Sequence, residues 1–464
     1  MSILIQNGLV ITKDGERHSD IFIEGETISR IEPRLDIKAN RIIDAAGRLV
    51  IPGGIDVHTH LNLPVGRIFS SDNFENGTRA AAFGGTTTII DFAQQAKGHS
   101  LNEALDDRLK EAVQSVIDYG LHMIIVDLPE QRLGDMDEMI KKGVTSFKLF
   151  TAYPDRLMVD DGTILRTLQQ TKKNGGLVCV HAEDSAMIEA LIGEALMKGH
   201  TEPKYHAATR PAEAEAKAVR RVIELADQTD APVYFVHISC SESLEYIRKA
   251  QMKGQQVHAE TCPQYLFTSR EDLDKPNFEG AKYVFTPPPR EKWNQDKLWD
   301  GVRNNSLQVV STDHCPFNFR GDKELGRTNF TKIPNGAPGI ENRLQLLYNF
   351  GVAGGKISIP RWVEIISVLP AKIFGLYPRK GIIAVGSDAD IVIWNPNIEH
   401  TISASTHHMQ VDYSLYEGWQ MKGNAETVIS RGTMIIENND WCGKPGHGKF
   451  LRRVPRDIPA KVMD

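Results

Sequence analysis

The chain has 464 residues, of which 41% are apolar and 25% are charged, and its net charge is −6. This length suits a large α/β domain together with a smaller one. The mildly acidic composition argues against a broad nucleic-acid surface, and no stretch is long and apolar enough to cross a membrane. Five scattered cysteines without Cys-x-x-Cys spacing, and an N-terminus without a signal-peptide pattern, predict a cytoplasmic protein.

Short β-strands are predicted at both ends of the chain. Residues 2–50 alternate apolar and polar positions around turns such as Glu24-Gly25, and a similar alternation returns at 382–394 and 427–436. We therefore expect one small β-domain built from both termini.

The middle of the chain alternates strand-like and helix-like patterns. Helical periodicity occupies stretches such as 101–116, 164–173, 211–226 and 243–253. The apolar, strand-like runs are 54–60, 86–92, 121–128, 146–150, 177–181, 233–237, 256–260 and 307–313. Strand–helix units in this number predict a (β/α)8 barrel. A doubly wound sheet could be drawn from the same alternation, but it has no reason to stop at eight strands.

Polar residues at the C-terminal ends of these runs favour the barrel. His58 and His60 lie two apart on the first run, so their side chains point to the same side. The other residues of this kind are Lys148, His181, His237 and Asp313. A barrel brings such strand ends to one mouth, whereas an open sheet spreads them along an edge. Each residue alone has a structural explanation, such as a core histidine or a helix cap, but their common position favours a single site.

Four histidines and one aspartate exceed what one catalytic zinc ion requires, because three protein ligands and a water suffice. Two metal ions fit better, and an anion must then bridge them because they repel each other. Lys148 lies in the apolar run 146–150, where burial lowers its pKa and exposes an amine that can capture carbon dioxide as a carbamate. A lysine paired with a nearby carboxylate is the alternative, and spacing does not decide between the two.

Several motifs resemble those of the cyclic amidohydrolases. They are Gly-x-Asp-x-His-x-His at 54–60, His-Ala-Glu at 181–183, His-Ile-Ser at 237–239 and Thr-Asp-His at 312–314. The stretches 260–266, 334–339 and 380–390 narrow the resemblance to the dihydropyrimidinase and D-hydantoinase family, over essentially the whole chain. The resemblance implies a barrel at 52–376, a β-sandwich formed by 1–51 and 377–440, and a tail at 441–464 that contacts other subunits of a homotetramer.

The same resemblance implies a binuclear metal site, with Zn²⁺ expected and Mn²⁺ as the alternative. His58 and His60 would bind one ion, His181 and His237 the other, carbamylated Lys148 would bridge them, and Asp313 would bind the first ion and carry the proton. Tyr153 would stabilise the oxyanion, while Thr286 and Asn335 would hold the imide edge of the ring through backbone groups. Thr286 departs from the serine usual at this position.

The implied reaction is the hydrolytic ring opening of a 5-substituted hydantoin or dihydropyrimidine to the N-carbamoyl amino acid. Leu63, Val65, Phe150 and Leu157 would line an apolar pocket for the 5-substituent, with ordinary core packing as the alternative. Dihydroorotase or allantoinase activity is the second hypothesis, although Leu61-Asn62 stand where a dihydroorotase-like site places an arginine. A non-catalytic assembly protein of the same family is the third, and the filled ligand positions argue against it.

Overall fold

The computed structural model describes residues 2–12 and 15–456. Its centre is an eight-stranded parallel sheet whose strands follow chain order and curl into a nearly closed barrel. The barrel strands are Gly54–Asp56, Thr86–Gln94, Asp118–Ile124, Ser146–Phe150, Leu177–His181, Val233–Phe235, Val257–Thr261 and Val309–Val310. The predicted barrel class is therefore confirmed.

Side-chain hydrogen bonds join the first barrel strand to the last. The buried Arg343 guanidinium donates to the carbonyl oxygens of Ile55 and Val310, both at 3.0 Å. The Asp56 carboxylate accepts from the Thr312 hydroxyl at 2.6 Å and from its N–H at 3.1 Å. These contacts bring the eighth strand end, which carries Asp313, next to the first.

Helices surround the barrel and begin and end at recognisable signals. Ser100 and Glu103 form a capping box at the start of Leu101–Glu111, and Gly175 (φ 75°) ends Asp161–Asn174. The α-helices are Phe74–Phe83, Leu101–Glu111, Leu133–Lys141, Asp161–Asn174, Ser185–Met197, Lys204–Ala208, Ala212–Thr229, Ser241–Met252, Pro263–Phe267, Asn294–Arg303, Arg343–Leu346, Ile359–Val363 and Leu369–Ile373. The short 3₁₀ helices are Ala112–Gln114, Glu130–Arg132, Arg270–Asp274, Glu279–Tyr283, Lys323–Gly326 and Phe330–Lys332. The π-helices are Leu347–Ala353 and Glu364–Val368.

In the described part of the chain, no helix combines the length and the apolar character that crossing a bilayer requires.

Strands from both chain ends pair beside the barrel, as predicted. One sheet contains Ser2–Gln6, Asp20–Glu24, Thr27–Glu32 and Arg41–Asp44. The other contains Leu9–Thr12, Gly15–His18, Leu49–Pro52, Ile391–Thr401, Gln420–Ser430, Thr433–Glu437 and Asp440–Trp441, and a hairpin of Pro64–Val65 with Ile68–Phe69 lies apart from both. Buried isoleucines and valines such as Ile5, Ile23, Val50 and Ile393 form one apolar cluster that holds these strands together.

The described part of the C-terminal tail crosses the base of the barrel, at the end opposite the predicted site. Tyr119 exchanges backbone hydrogen bonds with Lys449 and Leu451, at 3.0 and 2.7 Å. Leu451 and Arg453 are buried against their own chain, and the Arg453 guanidinium donates to the Ser146 hydroxyl at 2.8 Å. Residues 457–464 of the predicted tail lie outside the described residues, and the role of the tail in subunit contacts stays a prediction.

Candidate metal centre and substrate cavity

A cavity of about 740 Å³ opens at the C-terminal ends of the barrel strands. All the residues that the sequence singled out line it. They are the candidate ligands His58, His60, Lys148, His181, His237 and Asp313, the candidate substrate contacts Tyr153, Thr286 and Asn335, and the apolar candidates Leu63, Val65, Phe150 and Leu157. Residues distant in sequence therefore surround one space large enough for a small ring.

Two histidines converge on the Asp313 carboxylate. The Nε2 atoms of His58 and His60 lie 3.2 and 3.1 Å from Asp313 Oδ1. Candidate ligand atoms of these three residues all lie within 4.8 Å of one another. Asp313 has φ 52°, a left-handed conformation that is uncommon outside glycine and is concentrated at functional sites.

Glu260 fixes the orientation of His58. Its Oε1 lies 2.5 Å from His58 Nδ1, and its Oε2 accepts from the Tyr234 hydroxyl at 2.8 Å. Burial raises the pKa of Glu260 to about 7, and it lowers the pKa of His58 well below its usual range, so the imidazole is neutral. If Nδ1–H donates to Glu260, then His58 Nε2 directs a lone pair at an oxygen of Asp313. Two electron-pair donors at this separation call for a cation between them, and imidazole and carboxylate are ordinary metal ligands.

In the second pair of histidines, as in the first, a glutamate holds one ring nitrogen of a histidine whose other nitrogen faces the cavity. His181 Nδ1 lies 2.9 Å from His237 Nε2, while His181 Nε2 lies 2.8 Å from Glu183 Oε2. Burial opposes ionisation of Glu183, but the Arg210 guanidinium at 3.2 Å and the His181 hydrogen bond outweigh it and lower the pKa of Glu183 to about 2. An ionised Glu183 accepts the Nε2–H, which leaves the His181 Nδ1 lone pair facing His237. Burial also lowers the pKa of His237, so its neutral imidazole and the adjacent His181 ring present nitrogens suited to a second cation.

Lys148 is buried among aromatic rings between these two pairs. Its Nζ lies 5.4 Å from the ring centre of Phe92 and 5.0 Å from that of Phe150. Burial lowers the pKa of Lys148 to about 8, which increases the fraction of neutral amine at physiological pH. Among the residues that the structure describes, Lys148 forms no ion pair, so the alternative of a paired lysine has no partner here.

Tyr153, Thr286 and Asn335 form the opposite wall. Burial raises the pKa of the Tyr153 phenol, Arg210 opposes this rise, and hydrogen bonds with the side chains of Thr286 and Asn335 moderate it. The phenol is therefore protonated at neutral pH and can donate a hydrogen bond into the cavity. The Thr286 hydroxyl lies 3.4 Å from His206 Nε2, which also bonds the Phe285 carbonyl oxygen at 2.9 Å.

Three residues that hold the candidate ligands did not enter the sequence-based site. Glu260 ends the seventh predicted run, so the strand-end pattern could have included it. Glu183 follows His181 by two positions, which is the spacing that the pattern used for His58 and His60. Arg210 carried no signal, because it reaches Glu183 only through the folded chain.

The apolar candidates do not all lie in one cluster. Phe150 belongs to a small buried cluster with Phe92 and Ile124, and Tyr153 and Leu157 pack against it. Leu63 and Val65 approach from the loop that contains the hairpin Pro64–Val65. The rim also contains Ile192, Leu196 and Leu325, which the sequence did not single out.

The chain is similar to known proteins over nearly its whole length. The model of the amidohydrolase family matches residues 49–435. The chain is 50% identical over 457 residues to a D-hydantoinase of Streptomyces coelicolor, covering 97% of this chain and 98% of the relative. It is 47% identical to a D-hydantoinase of Geobacillus stearothermophilus, covering 98% of this chain and 97% of the relative. A crystal structure of dihydropyrimidinase from Brevibacillus agri superposes with a TM-score of 0.98 at 48% identity, covering 99% of this chain and 100% of that one.

Proposed function

The chain belongs to the dihydropyrimidinase and D-hydantoinase branch of the amidohydrolase family, and from this premise we propose how its residues carry out the reaction. It is a cyclic amidohydrolase, which opens the ring of a cyclic amide by hydrolysis. Dihydroorotase activity, allantoinase activity and a non-catalytic role are not favoured, because relatives at 47–50% identity over the full length are D-hydantoinases.

The donor set of the cavity fits two divalent metal ions. The observation that carries this proposal is the convergence of imidazole nitrogens with the Asp313 carboxylate, where carboxylates already hold His58 and His181 from their outer sides. His58, His60 and Asp313 would hold one ion, and His181 and His237 the other. Carbamylated Lys148 would supply the bridging anion. When bound, such ions lower the pKa of a water molecule and polarise the carbonyl of the substrate, and Zn²⁺ suits these ligands, with Mn²⁺ as the alternative.

Asp313 is the general base of the proposed mechanism. Burial opposes its ionisation, but the hydrogen bond with His60 helps to hold its pKa below the usual value, so the carboxylate is charged at neutral pH. It accepts a proton from the attacking water and delivers it to the amide nitrogen as the C–N bond of the ring breaks. That protonation makes the nitrogen a neutral leaving group.

Tyr153 and two backbone segments orient the ring. The protonated Tyr153 hydroxyl donates to the carbonyl oxygen as negative charge develops on it. Backbone groups of Thr286 and Asn335 hold the imide edge. In this arrangement the additional methyl group of Thr286, relative to serine, does not enter the contact with the ring.

The substrate proposed is a 5-substituted hydantoin or dihydropyrimidine, and the product is the N-carbamoyl amino acid. Leu63, Val65, Phe150 and Leu157 would contact an apolar 5-substituent. We also propose a preference for the D-enantiomer, because the similar proteins of Streptomyces coelicolor and Geobacillus stearothermophilus are D-hydantoinases.

A substrate panel with metal analysis tests these proposals. Hydantoin, a 5-aryl hydantoin, dihydrouracil, dihydroorotate and allantoin are assayed on one preparation with measured metal content. We expect the hydantoins and dihydrouracil to be opened, with about two ions per chain, as a two-metal site requires. Fastest turnover of dihydroorotate, or full activity without bound metal, would contradict the proposal.

Light scattering on the same preparation tests the proposed homotetramer. Detection of only a monomer at micromolar concentration would exclude it.

A further inference from the structure

A buried lysine outside the metal site bonds three backbone carbonyls beside the cavity. Lys323 is 0% exposed. Its Nζ donates to the carbonyl oxygens of Val284 and Pro334 at 2.8 Å and of Gly336 at 2.7 Å. An ammonium group has three N–H donors and no acceptor, so these three carbonyls satisfy it completely.

These carbonyls belong to the two segments that present the proposed substrate contacts. Val284 precedes Thr286 by two residues, and Pro334 and Gly336 flank Asn335. The segments also meet directly, because the Gly336 N–H donates to the Val284 carbonyl oxygen at 3.1 Å. Lys323 therefore bonds both segments at once.

The segment around Asn335 has little freedom on its other side. Gly336 has φ 146°, and a Cβ at that position would lie 2.2 Å from the Cys315 carbonyl oxygen. The Cys315 N–H in turn donates to the Ala337 carbonyl oxygen at 3.1 Å. The segment is thus held between the end of the eighth barrel strand and Lys323.

Burying a lysine at this position carries an electrostatic cost. Burial lowers the pKa of Lys323 to about 7. Within the described residues it forms no ion pair with a carboxylate, so the carbonyl dipoles alone compensate the charge of its ammonium form. Burial of a charge without a counter-ion is unfavourable. A methionine-like side chain would fill the same space without that cost, but it would remove the donor that connects the three carbonyls.

We propose that Lys323 is a positioning residue, which sets the separation of the backbone groups of Thr286 and Asn335 and thereby the affinity for the imide edge of the ring. The inference rests on the proposed substrate contacts of those two residues. Lys323 does not line the cavity itself and acts only through the two segments. Because the imide edge is held in the ground state and in the transition state alike, loss of Lys323 raises KM more than it lowers kcat.

The variants Lys323→Met, Lys323→Gln and Lys323→Arg test this role, with the exposed Lys297→Met as the matched control. For each folded variant we measure kcat and KM for hydantoin and the metal content per chain. We expect KM to rise about 10-fold or more in Lys323→Met, since small displacements of binding groups have effects of this size. The rise is smaller in the glutamine and arginine variants, which keep N–H donors. In all three variants, kcat stays within about 3-fold of wild type and the metal content is unchanged, as expected when binding is lost equally in the ground state and the transition state. The control Lys297→Met behaves as wild type.

Three outcomes would overturn the proposal. KM within about 2-fold of wild type in every folded variant would show that the segments do not need Lys323. A joint loss of kcat and metal would place its effect at the metal site, and failure of all three variants to fold would make the role purely structural. A wild-type protein that holds metal but opens no cyclic amide would contradict the proposed function instead, so the two failures are distinguishable.

Discussion

Lys148 is the residue whose proposed chemistry depends most on its surroundings. Its ammonium would repel metal ions, whereas its carbamate would attract them. Burial lowers its pKa to about 8 and so increases the fraction of neutral amine that carbamate formation needs. We expect Lys148→Ala to lose both activity and metal, and short carboxylic acids to restore part of each by supplying the anion. Lys148→Arg should also fail, because a guanidinium stays protonated. Metal analysis with a ring-opening assay measures both effects, and full activity of Lys148→Ala would exclude the bridging role.

Asp313 allows proton transfer to be separated from substrate binding. Asp313→Asn keeps the shape of the side chain and an oxygen that can face His58 and His60, but it removes the base. We expect kcat to fall by about 10²-fold or more for every substrate alike, which is the scale of general-base catalysis. The measurement compares kcat for unsubstituted hydantoin and a 5-aryl hydantoin. Retention of full kcat would require another route for the proton.

Leu157 should change specificity without changing the chemistry. It packs on the small cluster of Phe92, Ile124 and Phe150 and lines the cavity, so truncation removes an apolar contact to a bulky 5-substituent. For Leu157→Ala we expect the ratio of kcat/KM between bulky and unsubstituted rings to change by about 10- to 200-fold, the effect of one lost apolar contact. Turnover of hydantoin itself should stay nearly intact. Equal slowing of all rings would mean that Leu157 supports the loop that carries Tyr153.

At the scale of elements, periodicity predicted strands better than their ends. Ser146–Phe150 and Leu177–His181 were predicted with their observed bounds, because apolar residues fill both strands and change abruptly to loop residues. The run 307–313 retains only Val309–Val310 as strand. Beyond it the Ser311 N–H still donates to the Thr261 carbonyl oxygen of the seventh strand, but the Thr312 N–H bonds the Asp56 side chain and Asp313 takes a left-handed conformation. Such deviations depend on long-range partners that a local pattern does not contain.

The candidate ligands were predictable from the sequence, whereas supports such as Arg210 and Lys323 were not. Strand-end position marks His58 and His237 because the barrel places every strand end at one mouth. Arg210 and Lys323 act on groups that are distant in sequence, such as Glu183 and the Pro334 carbonyl, through contacts that only the folded chain creates. Sequence reasoning therefore finds the groups that face the substrate more readily than the groups that position them.

The sequence predicted subunit contacts for the C-terminal tail, but it did not predict that part of the tail packs against the barrel of its own chain. Leu451 is fully buried at the base of the barrel, whereas Val454 is 40% exposed. We expect Leu451→Ala to lower the free energy of unfolding by about 2–5 kcal/mol, as for other buried leucines. The control Val454→Ala should change the free energy of unfolding by no more than about 0.5 kcal/mol, as most surface substitutions do. Urea unfolding measures both, and kcat should not change because the cavity lies at the opposite end; an unaltered midpoint for Leu451→Ala would show that the tail does not belong to the core.

At the scale of the whole molecule, one buried ionic network joins the barrel to the strands of the chain ends. Lys380 Nζ lies 2.7 Å from carboxylate oxygens of both Asp118, on the third barrel strand, and Asp390. Arg431 also bonds Asp118, with its Nε 2.9 Å from Oδ1. Burial opposes the charge of Lys380, but Asp390 and Asp118 outweigh burial and raise the pKa of the lysine above its usual range. This network fixes the third barrel strand to the strands of the C-terminal chain end. The division into a barrel at 52–376 and a β-sandwich at 1–51 and 377–440 stays a proposal.

Because the pKa of Lys380 is raised in the folded protein, its contribution to the free energy of unfolding decreases at high pH. Because the folded pKa exceeds the unfolded value of 10.5, the contribution of Lys380 is complete below pH 10.5 and is lost as pH rises through the folded pKa. At neutral pH, Lys380→Met leaves Asp390 without its cation and leaves Asp118 with Arg431 alone, which should cost about 3–5 kcal/mol, as for other broken buried pairs. Above pH 10.5 the difference between wild type and variant should shrink by up to about 1.4 kcal/mol per pH unit, since one proton separates the two states. Urea unfolding at several pH values measures this difference, in which groups common to both proteins cancel, and the exposed Lys444→Met serves as control. A difference that stays constant between pH 9 and 11.5 would mean that Lys380 does not hold its proton through the two aspartates.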